Sequence, residues 1–424
     1  MRTTRREAWG HGLVIVGVIL AGFLGTARAE QNVSPSKTGG DDLRKLALSL
    51  NEVTGADPMR GVLQDLIANP TKTRKLVAQA TKMTDETPQP FNRNATFLLA
   101  LVAENLKDVD ASARFYRLNA KQSLGLLSER SMAQAYVGLI QLYADNKRFA
   151  DSEKVCKEFL ALEGEEDDAV ERLKPLVMRR MILAIAKQGS PDRALKMVDD
   201  LIKGDPRNWL HRGLKAQVLR ESDRLDDAGK VYLDVIERIE KDTRLEKEEK
   251  QDYIDEYRYF LAGIFIDQGN VDKASEQLKI LLGREPNNPT YNNDLGYIWA
   301  DRGINLPEAE KMIRRAIEEE RKLRKKLRID GDQDNAAYLD SLGWVLHKQG
   351  RNKEALEALQ AATRQKEGQH LEIFDHLAEV QFTLGEKQEA LATWKKGLEF
   401  ATTSKRDQKR KVEVEKKIKM LESK

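Results

Sequence analysis

The sequence predicts an all-α chain, built as a right-handed superhelical solenoid of stacked helix-turn-helix repeats. Two observations predict this fold. The 424 residues are 40% hydrophobic and 33% charged with only 11 prolines, a mixture that favours helices and is too apolar for disorder. Small residues also recur at spacings of 12 and then 7 along the chain. Such self-similarity indicates a repeat array rather than a globular domain.

Residues 1–29 have the pattern of a signal peptide. Residues 2–6 contain three arginines, residues 12–25 are an apolar run, and residues 27–29 supply small residues before a cleavage site. The apolar run is shorter than the roughly 20 residues that a membrane-spanning helix needs. We therefore predict export to the periplasm or out of the cell, with cleavage after Ala29. An inner-membrane anchor formed by the uncleaved signal is the alternative.

Charge and cysteine content narrow the class of protein further. The predicted signal carries a net charge of +3, which equals that of the whole chain, so the mature protein is close to neutral. We therefore expect no nucleic-acid partner, since such binding normally needs an excess of basic residues. The single cysteine, Cys156, excludes an internal disulfide. Its apolar helical position indicates a core residue rather than a nucleophile.

The remaining chain divides into successive helical segments. Residues 30–40 have the composition of a flexible linker. Residues 41–90 form a helical segment without a repeat, in which Asp57 and Pro58 open a helix. Degenerate repeats are predicted over 91–205 and well-matched repeats over 209–400. In the segment 404–424, Val414, Ile418 and Leu421 lie on one stripe of a very charged helix, which is typical of a cap that covers the end of an array.

Residues 338–363 show how each repeat is built. Leu339, Leu342 and Leu346 form one helical stripe, Gly350 breaks that helix, and a second helix carries Ala355. Small residues at matching positions let the two backbones approach where a larger side chain would clash. The residues assigned to this packing are Ala216, Ala228, Ala262, Ala274, Gly296, Ala309, Gly343, Ala355, Ala362, Ala378 and Ala390.

Three segments carry a resemblance to a known family. LGYIWADRG, LGWVLHKQGRNKEAL and LAEVQFTLGEKQEAL, which begin at Leu295, Leu342 and Leu377, resemble the tetratricopeptide repeat. The last repeats look most like those of adaptors in the bacterial cell envelope. In this family the first helices of the repeats line a concave groove that binds a protein or peptide. The resemblance places the following residues in that groove: Tyr259, Asn293, Tyr297, Asp340, Trp344, His347, Lys348, Asp375, Glu379 and Phe382.

Two charged insertions depart from the usual repeat length, near residues 239–252 and 318–334. Both sequences favour helix and hold Glu, Lys and Arg four residues apart. We expect each insertion to lengthen the second helix of one repeat and the first helix of the next. The second insertion also contains a basic run that could bind an anionic surface or polymer, although acidic residues 318–320 precede it. That run comprises Arg321, Lys322, Arg324, Lys325, Lys326 and Arg328.

No pattern of residues indicates catalysis. The sequence contains no glycine-rich phosphate loop, HExxH or GxSxG motif. His370 and His376 are six residues apart, a spacing that puts them on different helix faces and argues against a metal pair. We therefore predict a non-enzymatic scaffold without cofactor or metal, whose partner is a protein or peptide. An anionic-surface binder and an enzyme with an unrecognised site are the alternatives.

Overall fold

The computed structural model describes residues 40–125, 128–164, 169–327, 333–402 and 404–423. These residues form helices joined by turns, and no β-strand occurs among them, so the predicted all-α class is confirmed. None of the helices in these ranges is both long and apolar enough to span a lipid bilayer. The predicted signal peptide and residues 30–39 of the predicted linker lie outside the described residues.

Helices are numbered here in chain order. Three helices come first, α1 (Gly40–Ser49), α2 (Ala56–Ala68) and α3 (Pro70–Glu86), with a 3-10 turn at Leu50–Glu52. Eight helix pairs and a final single helix follow in the described chain. They are α4 (Arg93–Asn105) and α5 (Val109–Gly125), α6 (Glu129–Asp145) and α7 (Phe149–Leu160), α8 (Ala169–Lys187) and α9 (Pro191–Gly204), α10 (Trp209–Glu221) and α11 (Leu225–Lys241), α12 (Lys247–Asp267) and α13 (Val271–Arg284), α14 (Pro289–Arg302) and α15 (Leu306–Leu327), α16 (Ala336–Lys348) and α17 (Asn352–Thr363), α18 (Leu371–Thr383) and α19 (Lys387–Leu398), and α20 (Lys405–Glu422).

Side-chain caps fix where several helices begin. The first backbone N–H groups of a helix have no partner within it, so a side-chain oxygen just before the helix can accept from one of them. Proline is the first residue of α3, α9 and α14, and its fixed φ angle is already that of a helix. The capping side chains that accept a backbone N–H in this way are Asn69, Asn92, Asn208, Asn270, Asn288, Asn335 and Ser404.

The turn inside each pair needs a left-handed backbone. Gly350 and Gly385 adopt it in the last two pairs, with φ of +81° and +86°. In the degenerate pairs Lys107 and Lys147 take the same conformation, with φ of +62° and +58°. This geometry costs a non-glycine residue about 1 kcal/mol or more. The missing glycine is one reason why the first two pairs are hard to recognise from sequence, whereas the turn between α8 and α9 has Gly189 at φ +86°.

The chain divides into two compact units, residues 1–223 and 224–424. In the first unit, α1 packs on α3 and each helix from α4 to α10 packs on its neighbours. The largest fully buried side chains there include Phe91, Phe115 and Phe159. In the second unit one apolar core runs from α12 to α18. A smaller core joins α18 and α19 to the final helix, where Val414 and Ile418 of α20 are buried.

Small residues lie where paired helices touch. A Cβ atom added to Gly343 would come within 2.5 Å of Leu359 Cγ and 3.1 Å of the Ala355 carbonyl oxygen. One added to Gly296 would lie 2.9 Å from the Ala309 carbonyl oxygen. All nine alanines assigned to repeat packing are fully buried. Ala216 and Ala228 fall on either side of the boundary between the two units.

The two insertions have different outcomes. The first lengthens both flanking helices, because α11 has 17 residues and α12 has 21. The second lengthens α15 to 22 residues, but α16 begins at Ala336 and has only 13. The expectation that the second insertion extends both helices is therefore wrong. The Asn335 side chain accepts from the N–H groups of Ala337 and Tyr338, and this cap starts α16 there.

Candidate functional site

The predicted groove residues separate into an accessible group and a buried group. Phe382 keeps 38% of its surface exposed, Lys348 is exposed, and Trp344 and His347 are half-buried. Asn293, Asp340 and Asp375 are instead 7%, 6% and 3% exposed. The expectation that these last three face an open groove is wrong, because their side chains are buried inside the protein. Tyr259, Tyr297 and Glu379 are half-buried and bonded to neighbouring helices.

The Trp344 indole is held rigidly on α16. It stacks on the His376 ring of α18 at 4.1 Å between centroids and 15° between planes, and on His347 at 5.2 Å. The Lys348 ammonium lies 4.5 Å from the centre of the indole ring, within the range of a cation–π interaction. His347 is fixed in turn by Asn352, with 2.7 Å between Nδ1 and Oδ1. The indole is therefore ordered before any partner arrives.

Tyr259 links α12 to α14. The Tyr259 hydroxyl donates to Asp294 at 2.9 Å, and its ring packs at 5.3 Å from that of Tyr291. Burial and the Asp294 carboxylate raise the pKa of Tyr259 well above its usual value, so the hydroxyl stays a donor. Asn293 donates to the same carboxylate at 3.3 Å. The Tyr259 contacts hold the two neighbouring repeats together, whereas the Asn293 bond stays within α14.

A polar network lies beneath the Trp344 surface. The His376 ring nitrogen Nδ1 is 2.8 Å from the Asp340 carboxylate, and both side chains are buried. Burial by itself would lower the pKa of His376, but the nearby Asp340 outweighs it and the pKa is raised. Tyr297 of α14 donates its hydroxyl to Glu372 of α18 at 2.8 Å. Burial and Glu372 raise the pKa of Tyr297 well above its usual value.

Helix α20 covers the acidic face of α18. Lys417 lies 2.6 Å from both Asp375 and Glu379, and Arg410 lies 3.0 Å from Asp375 and 2.7 Å from Glu372. Burial would raise the pKa of Glu372, but the two arginines of α20 near it lower that pKa to about 2. Asp375 and Glu379 thus serve the cap rather than an open groove.

Sequence reasoning missed the basic half of this network. Arg406, Arg410 and Lys417 lie on the same face of α20 as the apolar Val414 and Ile418. Arg406 and Arg410 precede Val414 at intervals of four residues, and Lys417 follows it by three. This helical spacing could have predicted that the basic residues share a face with the apolar stripe. The acidic partner Glu372 carried no such signal. It lies in the first turn of α18, where an acidic residue is already expected because it interacts favourably with the helix dipole.

The basic run on α15 is largely engaged with neighbouring groups. Arg321 pairs with Asp334 at 2.5 Å, and Lys322 pairs with Glu318 and Glu319 at 2.7 and 3.0 Å. The Arg324 guanidinium donates to the Gln333 carbonyl. Lys325 and Lys326 are exposed, and Arg328 lies outside the described residues. The charges of Arg321 and Lys322 are therefore balanced by nearby carboxylates.

Residues that could support chemistry are inaccessible or scattered. Cys156 is fully buried, and burial raises the pKa of its thiol to about 12, so it stays protonated. In the described ranges no three His, Cys, Asp or Glu side chains come together as a metal site would require. His370 immediately precedes α18, and the His376 ring forms a hydrogen bond with Asp340.

Comparison with known proteins agrees with this architecture. A model of the tetratricopeptide repeat family matches residues 181–242, 261–323, 305–370 and 341–401. A TPR repeat-containing protein of Pseudomonas aeruginosa is 32% identical over 112 residues, which cover 26% of this chain and 17% of that protein. The match therefore spans less than a fifth of that relative.

Two solved structures align with parts of this chain. A tetratricopeptide repeat protein from Parabacteroides merdae aligns with a TM-score of 0.44 at 13% identity, covering 66% of this chain and 98% of that one. A thermophilic TPR protein from Thermus thermophilus aligns with a TM-score of 0.35 at 22% identity, covering 49% and 97%.

Over residues 181–242 and 261–401 this chain carries tetratricopeptide repeats. Repeats of this family are typically non-catalytic scaffolds that bind other proteins. The repeats matched here include the helices that carry Trp344, Lys348 and Phe382.

Proposed function

We propose that this chain is a non-catalytic scaffold of the bacterial cell envelope that binds a protein or peptide through the surface around Trp344. The observation that carries this proposal is the fixed indole, stacked on His376 and flanked by His347 and Lys348. A rigid, partly exposed aromatic side chain loses little freedom on binding and is a common anchor in protein interfaces. The exposed Phe382 on α18 supplies a further apolar contact.

The local charge balance favours this surface over the basic run of α15. An anionic polymer binds through cations that are free to exchange their counterions. Arg321 and Lys322 already face carboxylates within 3.0 Å. Lys325 and Lys326 are exposed in the described part of the run, and we assign them no partner.

The test is affinity capture from an envelope extract, with partners identified by mass spectrometry and affinity then measured with the purified partner. Trp344→Ala should weaken binding by about 2 kcal/mol, roughly 30-fold, as expected of an interface anchor. Lys348→Glu replaces the exposed cation beside the indole and should also weaken binding, while the fold stays intact. Binding that ignores both variants but is lost on reversing the charges of Lys325 and Lys326 would refute the proposal.

Export is tested separately. We expect the mature chain to begin at Glu30 and to fractionate with periplasmic markers, because residues 1–29 have the pattern of a cleaved signal. Mass spectrometry of the amino terminus measures this directly. An intact terminus with membrane fractionation would establish the anchored alternative, and an intact terminus in the cytoplasm would refute export.

A further inference from the structure

The His376 ring contacts both the Trp344 indole and a buried carboxylate. It stacks on the indole with 4.1 Å between ring centroids and 15° between ring planes, and its Nδ1 atom is 2.8 Å from an Asp340 oxygen. Only 2% of His376 and 6% of Asp340 is exposed. Asp340 and Trp344 belong to α16 and His376 belongs to α18, so these contacts join the first helices of two successive repeats.

The charge of the His376 ring affects both of these contacts. In the described ranges, His376 is the only group that forms an ion pair with Asp340. A buried carboxylate without an opposite charge is strongly destabilising, and a protonated ring supplies that charge. A positive ring over the face of an indole is also attracted to its π electrons. One proton on His376 therefore strengthens the contact with Asp340 and the contact with Trp344.

Charged groups of three helices decide when His376 holds this proton. Burial opposes protonation of the ring, and so does Arg410 of α20, whereas Asp340 of α16 and Glu372 of α18 favour it. The carboxylates prevail, and the pKa of His376 is raised above the ordinary value of 6.5. His376 therefore keeps its proton at a pH where an exposed histidine has lost it, and releases it as the pH rises through the higher value.

The other ionisable groups around the ring are held in pairs. Asp375, the residue before His376, pairs with Lys417 of α20 at 2.6 Å. The Tyr297 ring of α14 lies 6.3 Å from the His376 ring, and its hydroxyl donates to Glu372. Tyr297 stays neutral because burial and Glu372 raise its pKa, and the pKa of Lys417 is raised as well. As the pH rises, His376 is therefore the first group of this cluster to lose its proton.

We infer that His376 and Asp340 form a pH-dependent latch for the Trp344 surface: the protonated pair holds the indole on α18, and loss of the proton frees the indole and loosens α16 from α18. An indole that is already fixed loses less freedom on binding. The surface therefore binds best with the latch protonated and more weakly once the proton has left. This last step rests on the function proposed above, whereas the latch itself does not.

The test needs no partner. The full chain is labelled with fluorotryptophan and with ring-labelled ¹³C histidine, and NMR spectra are recorded from about pH 5.5 to about pH 9, on both sides of the ordinary histidine value. The Trp344 fluorine signal is identified by its absence in Trp344→Phe, and the His376 signal by its absence in His376→Gln. We expect both signals to titrate with one midpoint above 6.5, and the Trp344 signal to stop titrating in His376→Gln.

Release of the indole is measured with a neutral gadolinium chelate, which speeds the relaxation of accessible nuclei. Its effect on the Trp344 fluorine signal should increase about twofold as the pH rises through the shared midpoint. This readout separates a freed indole from one that only senses the charge of a nearby ring.

Two variants should move the shared midpoint in opposite directions. Asp340→Asn removes a charge that favours the proton and should lower the midpoint by about one pH unit or more. Arg410→Gln removes an opposing charge and should raise it, which keeps the test decisive if Asp340→Asn does not fold by circular dichroism. His370→Gln and Asp301→Asn make matched changes at exposed positions and should leave the Trp344 signal as in the wild type.

The latch is overturned if the Trp344 and His376 signals have different midpoints, if either does not titrate, or if the gadolinium effect is equal on both sides of the midpoint. Such a result leaves the binding role of Trp344 standing, because affinity capture with Trp344→Ala tests that role separately. Capture that ignores Trp344→Ala has the opposite meaning: it removes the proposed partner surface, while a shared titration with release of the indole still establishes the latch.

Discussion

Gly343 is the position where close helix packing can be tested with a single added methyl group. The glycine lies on α16 and faces α17. Gly343→Ala would place a Cβ atom 2.5 Å from Leu359 Cγ and 3.1 Å from the Ala355 carbonyl oxygen. Leu359 is fully buried and the contact is to its Cγ atom, so its side chain must shift among buried neighbours to relieve the contact. We expect this variant to be less stable than the wild type.

The magnitude follows from two opposing effects. Alanine is favoured over glycine inside a helix by about 1 kcal/mol. Overpacking a close contact of this kind costs about 1–3 kcal/mol. The net change for Gly343→Ala is therefore a loss of up to about 2 kcal/mol. Gly283 supplies the control, because an added Cβ there meets no atom within 4 Å and it lies in the same unit.

The assay is urea denaturation followed by circular dichroism at 222 nm, a wavelength that reports helix. Gly283→Ala should raise the midpoint slightly and Gly343→Ala should lower it, so the difference between the two variants isolates the steric cost. The midpoints are compared only if both variants show the same dependence of the free energy of unfolding on urea concentration. This condition is needed because a long repeat array need not unfold in two states. A Gly343→Ala protein that is as stable as Gly283→Ala would refute the reasoning.

The other predictions concern the same unit. Ala355→Leu places a larger side chain at a fully buried position and should cost about 1–3 kcal/mol in urea denaturation, with no loss contradicting the close-packing account. His376 has a raised pKa beside Asp340, so its contribution to stability is complete below its unfolded pKa of about 6.5 and is lost as the pH rises through the higher folded value. Urea midpoints should therefore fall over that window in the wild type and less in His376→Gln; equal curves would contradict this. Arg410→Met removes one of the two arginines that pair with Glu372 and should cost about 3 kcal/mol, measured by thermal unfolding at neutral pH, with a smaller loss near pH 2 where the carboxylate becomes protonated.

The fold could be predicted because its signals are local. The leucine stripe of α16, the left-handed Gly350 and the small residues at helix crossings are all set by neighbours a few turns apart. The length of α16 could not be predicted in this way. Residues 318–334 favour helix throughout, and the Asn335 cap that starts α16 competes with that preference only in the folded chain.

The candidate site was harder to predict because exposure depends on distant segments. Position within the repeat placed Trp344 and Lys348 on the first-helix face, and both remain accessible to different extents. The same rule placed Asp375 there, but α20 returns to cover it with Arg410. Which acidic residues a terminal helix will cover cannot be read from a repeat register alone.

The bond between Tyr297 and Glu372 has a consequence for how the array unravels. Repeat arrays are usually described with nearest-neighbour coupling, so that end repeats fray one at a time. This bond joins α14 to α18 and passes over the intervening pair of α16 and α17. Opening the last pair therefore also breaks a contact of the pair two steps before it. Hydrogen exchange of these three pairs should occur as a single cooperative event rather than a gradient from the end.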